Sequence, residues 1–200
     1  MENQAAGGAH SRATLGPDAL LGMGSDANAS LPAAIRDARA KYPEMNFKAG
    51  HLLNADFGGN GDEAANLTIL TAQANAAHKG FDNPVKRAVD ALRKAYEAMW
   101  DDGIDISGEQ IGIAVSIQVG GGAWGDDYPD NCIFNELRCT ATLVGAPSEE
   151  FHDERFKAAF DEAIATAITE CGLATASGTV ANSKAPVEAN DEMEMDLVQP

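Results

Sequence analysis

The sequence predicts an α+β domain in which a strand–turn–strand–helix unit packs on an antiparallel sheet with flanking helices. Three observations carry this expectation. Residues 48–86, KAGHLLNADFGGNGDEAANLTILTAQANAAHKGFDNPVK, pass from an apolar run through a glycine-rich turn to a second short run and then to helix formers. Ile111, Ile113, Val115, Ile117 and Val119 alternate strictly, as a half-buried strand does. Val85, Val89, Leu92, Tyr96 and Met99 recur at spacings of three and four, the stripe of an amphipathic helix.

Taken in order, residues 1–30 are rich in Ala, Gly, Ser, Asn and Asp without a sustained period, and read as a flexible arm with at most a helical turn near Pro17-Asp18. Residues 31–41 read as a short helix with Ser30 as cap and Pro32 in the first turn, ended by Pro43. Phe47 to Leu53 is a strand, Asp56 to Glu63 a loop, and Asn66 to Thr71 a second strand. Thr71 caps a helix from Ala72 to Lys79, which Gly80 weakens. Asn83 and Pro84 then start a second helix, stopped at Asp101-Asp102-Gly103.

The alternating strand from Ile111 is expected to break at Gly120-Gly121-Gly122 and to pair antiparallel with a strand from Cys132 to Val144, across a loop from Trp124 to Asn131. Pro147 to Glu150 opens a last helix carrying Phe151, Phe156, Phe160, Ile164 and Ile168 on one face and ending at Cys171-Gly172. The expected organisation is an arm at 1–30, a domain at 31–172 with its core at 47–100, and an acidic disordered tail at 173–200.

The totals bound the partners. Of 200 residues, 14 are basic and 31 acidic, a net charge of −17, which weighs against a broad nucleic-acid surface. The excess is uneven: residues 41–100 hold seven of each sign, whereas residues 101–200 hold four basic and twenty acidic, net −16. The acidic half serves solubility or occupies a basic groove. The three cysteines, Cys132, Cys139 and Cys171, have no spacing for a disulfide framework or a zinc knuckle, and fit buried positions in a reduced compartment. No run is long and apolar enough for a membrane span, and no Sec signal precedes the domain, so no membrane partner is expected.

The chemistry-bearing residues are His51 at the start of the 48–86 stretch and Asn75, His78 and Asp82 near its end. Asn75 and Asp82 lie seven apart, two turns along one helix face, and His78 lies three after Asn75. Asp82 is also placed to cap the next helix. The Gly58-Gly59-Asn60-Gly61 run suits a tight turn or a phosphate cradle, and Trp124 and Tyr128 suit packing or base stacking.

Gly50-His51-Leu52-Leu53, Phe57-Gly58-Gly59, Asn66-Leu67-Thr68 and Asn75 with an acid seven residues on together resemble the DNA/RNA non-specific endonuclease family, one of the ββα-metal or His-Me finger nucleases. The form here is similar to versions in bacterial toxins and effectors. The resemblance implies a ββα-metal (His-Me) finger packed on the sheet, and a metal-dependent endonuclease acting on DNA or RNA. It implies His51 as general base, Asn75 as ligand of Mg²⁺ or another divalent cation, and Asp82 as the acid that holds metal-bound water. Asn66 completes the catalytic set by holding the finger's backbone in shape. Neutral imidazole suits a base near pH 7, and a hydrated hard cation needs few protein ligands. Where the family carries Arg before Gly-His, this chain has Ala49; Lys48, His78, Lys86 and Arg87 are the residues left to meet substrate. The resemblance further implies an immunity or chaperone protein as partner, and a protein cytoplasmic in its producer and delivered by a non-Sec route. A scaffold that has lost its chemistry and binds a basic protein through its acid, and a hydrolase of another phosphodiester or a cell-wall component, are the competing readings.

Overall fold

A computed structural model of the protein describes residues 7–16, 24–27, 31–104, 111–145, 153–173 and 175–184. Along them run β1 (His10–Leu15), α1 (Pro32–Lys41), β2 (Lys48–His51), β3 (Leu67–Leu70), α2 (Ala72–Asp101), β4 (Gly112–Ala123), β5 (Phe134–Val144), α3 (Glu154–Thr169) and β6 (Thr175–Ala181). The architecture is α+β: an antiparallel four-stranded sheet in the order β1–β4–β5–β6, a separate two-stranded hairpin of β2 and β3, and helices. No helix among the described residues is long and apolar enough to cross a membrane.

The alternation in β4 turns Ile113, Val115, Ile117 and Val119 inward, opposite Leu143, Ala141, Cys139 and Leu137 of β5. Arg12, Thr14, Gln118, Arg138 and Thr140 are exposed on the other face, so the sheet is covered on one side only. The covered side packs against Val85, Val89, Leu92 and Met99 of α2 and Phe160, Ala163 and Ala167 of α3. A second cluster joins α1 to the hairpin through Leu31, Ala34, Ile35, Phe47, Leu67 and Ile69, and includes Trp124 and Ile133.

Several elements differ from expectation. The arm contains β1, which pairs with β4 from His10↔Gln118 to Leu15↔Ile113. Its inward positions are Ser11, Ala13 and Leu15, too little apolar bulk to register as a pattern. The tail contains β6, paired with β5 from Glu136↔Ala181 to Thr142↔Thr175. Backbone hydrogen bonds hold these edge strands whatever their hydropathy, so the folded unit extends beyond 31–172 at both ends.

The two helices expected at 72–79 and from 83 are one continuous helix of 30 residues, with Pro84 inside it. Thr71 caps it as expected, its Oγ1 accepting from the Ala74 amide at 3.0 Å. Proline's ring meets the carbonyl four residues back, here that of side-chain-free Gly80, and the buried face holds the two halves in phase. The triple glycine does not end β4, which continues to Ala123 through a register shift, Gly121 and Gly122 having φ of 71° and 72°. On α3 the buried face is Phe160, Ala163 and Ala167, whereas Ile168 is 40% exposed. Ser30, Pro147 to Phe151 and the side chain of Phe156 lie outside the described residues.

Asn182, just past β6 and 1% exposed, locks the hairpin onto the sheet. Its Nδ2 donates to the carbonyls of Ile69 (3.0 Å) and Phe134 (2.8 Å), and its Oδ1 accepts from the Thr71 amide (2.8 Å). Its own carbonyl accepts from Trp124 Nε1 at 2.7 Å. Asn182→Ala strands three buried backbone groups and is expected to cost on the order of 3 kcal/mol, read as a lower chemical-denaturation midpoint. An unchanged midpoint would show that the bridge is replaceable by water.

Candidate functional site

The hairpin is held open by Asn66. Its Oδ1 accepts from the Leu53 amide (2.9 Å) and its Nδ2 donates to the Leu53 carbonyl (3.0 Å), so a side chain stands in for a strand partner. Asn66 is buried and touches no open surface. It therefore shapes the loop that leaves His51.

His51 ends β2 opposite Leu67, half-buried. Its Nε2 lies 2.8 Å from the carbonyl oxygen of Ser25. A carbonyl only accepts, so Nε2 carries the hydrogen and Nδ1 keeps the basic lone pair. Ser25 belongs to a strap, residues 24–27, laid across the glycine-rich turn. Gly24 donates to the Ala55 carbonyl at 2.9 Å and Gly61 to Ser25 Oγ at 2.9 Å. A Cβ on Gly59 would sit 1.7 Å from the Leu53 carbonyl oxygen, and one on Gly61 2.1 Å from that of Asp26. Close backbone approach thus accounts for these glycines without a phosphate.

Gly50 has a similar role. A Cβ there would lie 2.3 Å from Leu70 Cδ1 and 3.4 Å from Asn75 Oδ1. The bare backbone before His51 makes room for the Leu70 side chain at the end of β3, and the Asn75 amide oxygen lies beside the same position at ordinary contact distance. Strand alternation points the His51 ring to the other face from the one on which Gly50 meets Asn75, and of the polar residues of α2 it is His78 that the ring is near enough to affect.

Beyond Asn75 the same helix face carries two buried ionisable groups. His78 is 4% exposed, stacks on Phe81 and has no partner for its Nε2, which lies 3.9 Å from Asp82 Oδ1. Asp82 is 2% exposed, and its Oδ2 accepts from Asn54 Nδ2 at 2.5 Å. Burial lowers the His78 pKa, opposed by Asp82 and reinforced by nearby His51. Burial raises that of Asp82 above 3.8, opposed by His78, Asn54 and Lys86. Asp82 sits within the helix and caps nothing.

No family model, curated protein or solved structure matches this chain. The site therefore rests on its own geometry.

The residues expected to meet substrate are not assembled as a cationic patch. Lys48 is exposed, but strand alternation puts it on the opposite face of the hairpin from His51. Lys86 is ion-paired with Asp56 at the margin of the site. Arg87 lines a groove between α2 and α3, with Asp90, Glu162 and Glu170, away from the hairpin. His78 is too buried to touch a polymer. Trp124 is buried against Tyr42 and Phe47, and the Tyr128 hydroxyl donates to Asp37 at 2.8 Å.

The sequence reading missed Asn54 and Ser25. Asn54 carries a recoverable signal, since an Asn two residues before an acid at a turn is a common cap; its Oδ1 accepts from the Asp56 amide at 2.9 Å. Ser25 meets His51 through its backbone carbonyl, and that contact carries none. Also missed was a buried carboxylate, Asp130, which accepts from Lys41 (3.0 Å), Tyr42 (2.8 Å) and Lys184 (3.0 Å). Although burial pushes it up, these hydrogen bonds hold its pKa below 3.8. All its partners are structural, tying α1 to the segment after β6.

The donors fit a divalent cation in kind. Asn75 and Asp82 offer oxygens, and the orphaned His78 nitrogen has a lone pair or proton with nowhere to go. No group of three or more His, Cys, Asp and Glu side chains among the described residues is arranged to hold a metal, so water would complete any such shell.

Two outcomes follow. Raising the Asp82 pKa means that its contribution favours the fold below 3.8 and is lost as pH rises through the higher folded value. In chelator-treated protein, Asp82→Asn should therefore raise the thermal midpoint at neutral pH, with the gain shrinking as the pH is taken down toward that range; a loss at neutral pH would contradict it. Gly61→Ala should lift the strap from His51, and ¹⁵N NMR should then show the imidazole exchanging between tautomers rather than fixed with its hydrogen on Nε2.

Proposed function

We propose that the protein is a metal-dependent, non-specific endonuclease that hydrolyses phosphodiester bonds of DNA or RNA, with the hairpin and α2 forming a ββα-metal finger. The carrying observation is the imidazole of His51, held through Nε2 at the end of a hairpin whose Gly50 the Asn75 amide oxygen of α2 approaches. His51 is anchored through Nε2, so its Nδ1 takes the proton of an attacking water while one P–O ester bond breaks. A divalent cation, when bound, offsets charge on the phosphate and the leaving oxygen. Asn75 would hold it, Asp82 would orient water around it, and Asn66 keeps the loop behind His51 in register. The resemblance to toxin and effector nucleases supports an antagonistic setting, delivery from the producer's cytoplasm by a non-Sec route, and an immunity or chaperone protein as partner.

Plasmid DNA and structured RNA should be degraded with Mg²⁺ and spared in EDTA. His51→Ala should lower the rate by roughly 10²–10⁴-fold, the span of a positioned general base. Cleavage at the parental rate by that variant would remove His51 from the chemistry.

A second reading is favoured by Ala49 and by the dispersal of Lys48, Lys86 and Arg87. In it the finger is a scaffold without cleavage, and the net −16 of residues 101–200 engages a basic protein. Silence across several divalent metals, with salt-sensitive binding to a basic partner, would favour it.

A further inference from the structure

The buried face of α2 runs Ala74, His78, Asp82, Val85, Ala88, Val89, Leu92. Two of its members are polar and sit where the core would take Leu or Val. Their cost is considerable. A desolvated carboxylate and an imidazole nitrogen without a partner are each penalised in a medium of low dielectric. Asp82 has one oxygen satisfied by Asn54; its other oxygen, Oδ1, faces His78 Nε2. The 3.9 Å between them is too long for a hydrogen bond. It is within the span of one ion bonded to both, since ligand bonds of about 2.0–2.2 Å on each side reach up to about 4.2 Å.

We infer that His78 Nε2 and Asp82 Oδ1 ligate a divalent transition-metal ion of the Mn²⁺–Zn²⁺ class, with Asn54 fixing the carboxylate from behind. This deepens the proposed nuclease reading by moving Asp82 from the ion's water to the ion itself, and rests on that reading for the use of the metal, though binding itself does not. The ion gives the orphaned imidazole nitrogen a partner and neutralises the carboxylate beside it. A nitrogen donor selects borderline metals over Mg²⁺, which prefers oxygen and keeps its waters. Asn75, three positions before His78 on the same face, stands next in the row. Asn54 has the place of an outer-shell partner: it donates to the oxygen the ion does not use, and its own Oδ1 is held by the Asp56 amide. His78 is thereby a ligand rather than a substrate contact, which its burial forbids.

The test uses the full chain, stripped with chelator, titrated with Mn²⁺ and followed by electron paramagnetic resonance, with Zn²⁺ and Mg²⁺ competition. One Mn²⁺ per chain should bind with an imidazole-nitrogen coupling in pulsed spectra, and Zn²⁺ should displace it more readily than Mg²⁺ does. His78→Ala should abolish the nitrogen coupling and weaken binding by more than the roughly 10–100-fold expected for loss of an outer-shell partner. Asp82→Asn should weaken binding while keeping the coupling, and His51→Ala should keep both. His78→Gln repeats the test if the alanine variant fails to give the parental circular dichroism. No binding at one equivalent, a coupling that survives both His78 substitutions, or one that disappears with His51 would each overturn the inference. Cleavage is scored separately: binding through His78 by a protein that cuts nothing sinks the nuclease reading alone, and cleavage with His78-independent binding sinks this one alone.

Discussion

The carboxamide of Asn182 is the constraint on which the arrangement depends. Among the described residues the hairpin and the four-stranded sheet share no strand-to-strand pairing; they are separate ladders. Asn182 spans them, giving hydrogen bonds to Ile69 at the end of β3 and Phe134 at the start of β5. It also takes the amide of Thr71, the residue whose hydroxyl caps α2. One side chain thus fixes where the hairpin ends, where the sheet begins and where the long helix starts. The position of Asn75, one turn into that helix, follows from this anchor. An amide suits the task because it donates twice and accepts in one plane, and no other residue type at that size does both.

The neighbourhood of His51 is built by subtraction. Gly50, Gly59 and Gly61 each stand where a Cβ would collide with a carbonyl or a leucine side chain. Removing those methyl groups lets three groups lie closer than a Cβ permits: the Leu70 side chain on β2, the turn on Leu53, and the strap on the turn. Two amides, Asn66 and Asn54, then supply the hydrogen bonds that such irregular chain lacks. The imidazole is oriented by the strap carbonyl and by its place at the end of a short strand. Rigidity of this kind is what a positioned base requires, because a small misplacement of the reacting groups costs rate steeply.

What could be read from the sequence was what periodicity encodes. The odd-numbered stripe of β4, the stripe of α2 from Val85 onward and the Thr71 cap all announce themselves through repeated side-chain burial or a local hydrogen bond. The same holds for the ordering of His51 at a strand end, Asn66 in the turn just before the second strand and Asn75 on the helix. Unreadable elements are those held by backbone alone or by contacts distant in sequence. β1 and β6 are edge strands whose inward positions are small; the Ser25 carbonyl has no side-chain signature; Asn182 acts across more than 100 positions of chain. Nor does sequence order show where cations point: helix and strand geometry sends Arg87 and Lys48 to other faces, and Asp56 engages Lys86.

The uninterrupted α2 shows how packing decides between two local readings. Gly80 and Pro84 both argue for a break, and Asn83 with Pro84 is a sound helix start by local rules. Yet the buried positions 74, 78, 82, 85, 89 and 92 keep one phase through that stretch. A break would shift the second half relative to the first and move either His78 and Asp82 or Val85 and Val89 off the inner face. Burial of the valines on the sheet, at about 1.5–3 kcal/mol for each fully buried side chain, is comparable to the roughly 3 kcal/mol that an interior proline costs. With several such side chains beyond Pro84, the stripe outweighs the proline. The helix therefore carries His78 and Asp82 inward on the strength of apolar residues one to three turns further along, and the polar pair is held in a place it could not stabilise for itself.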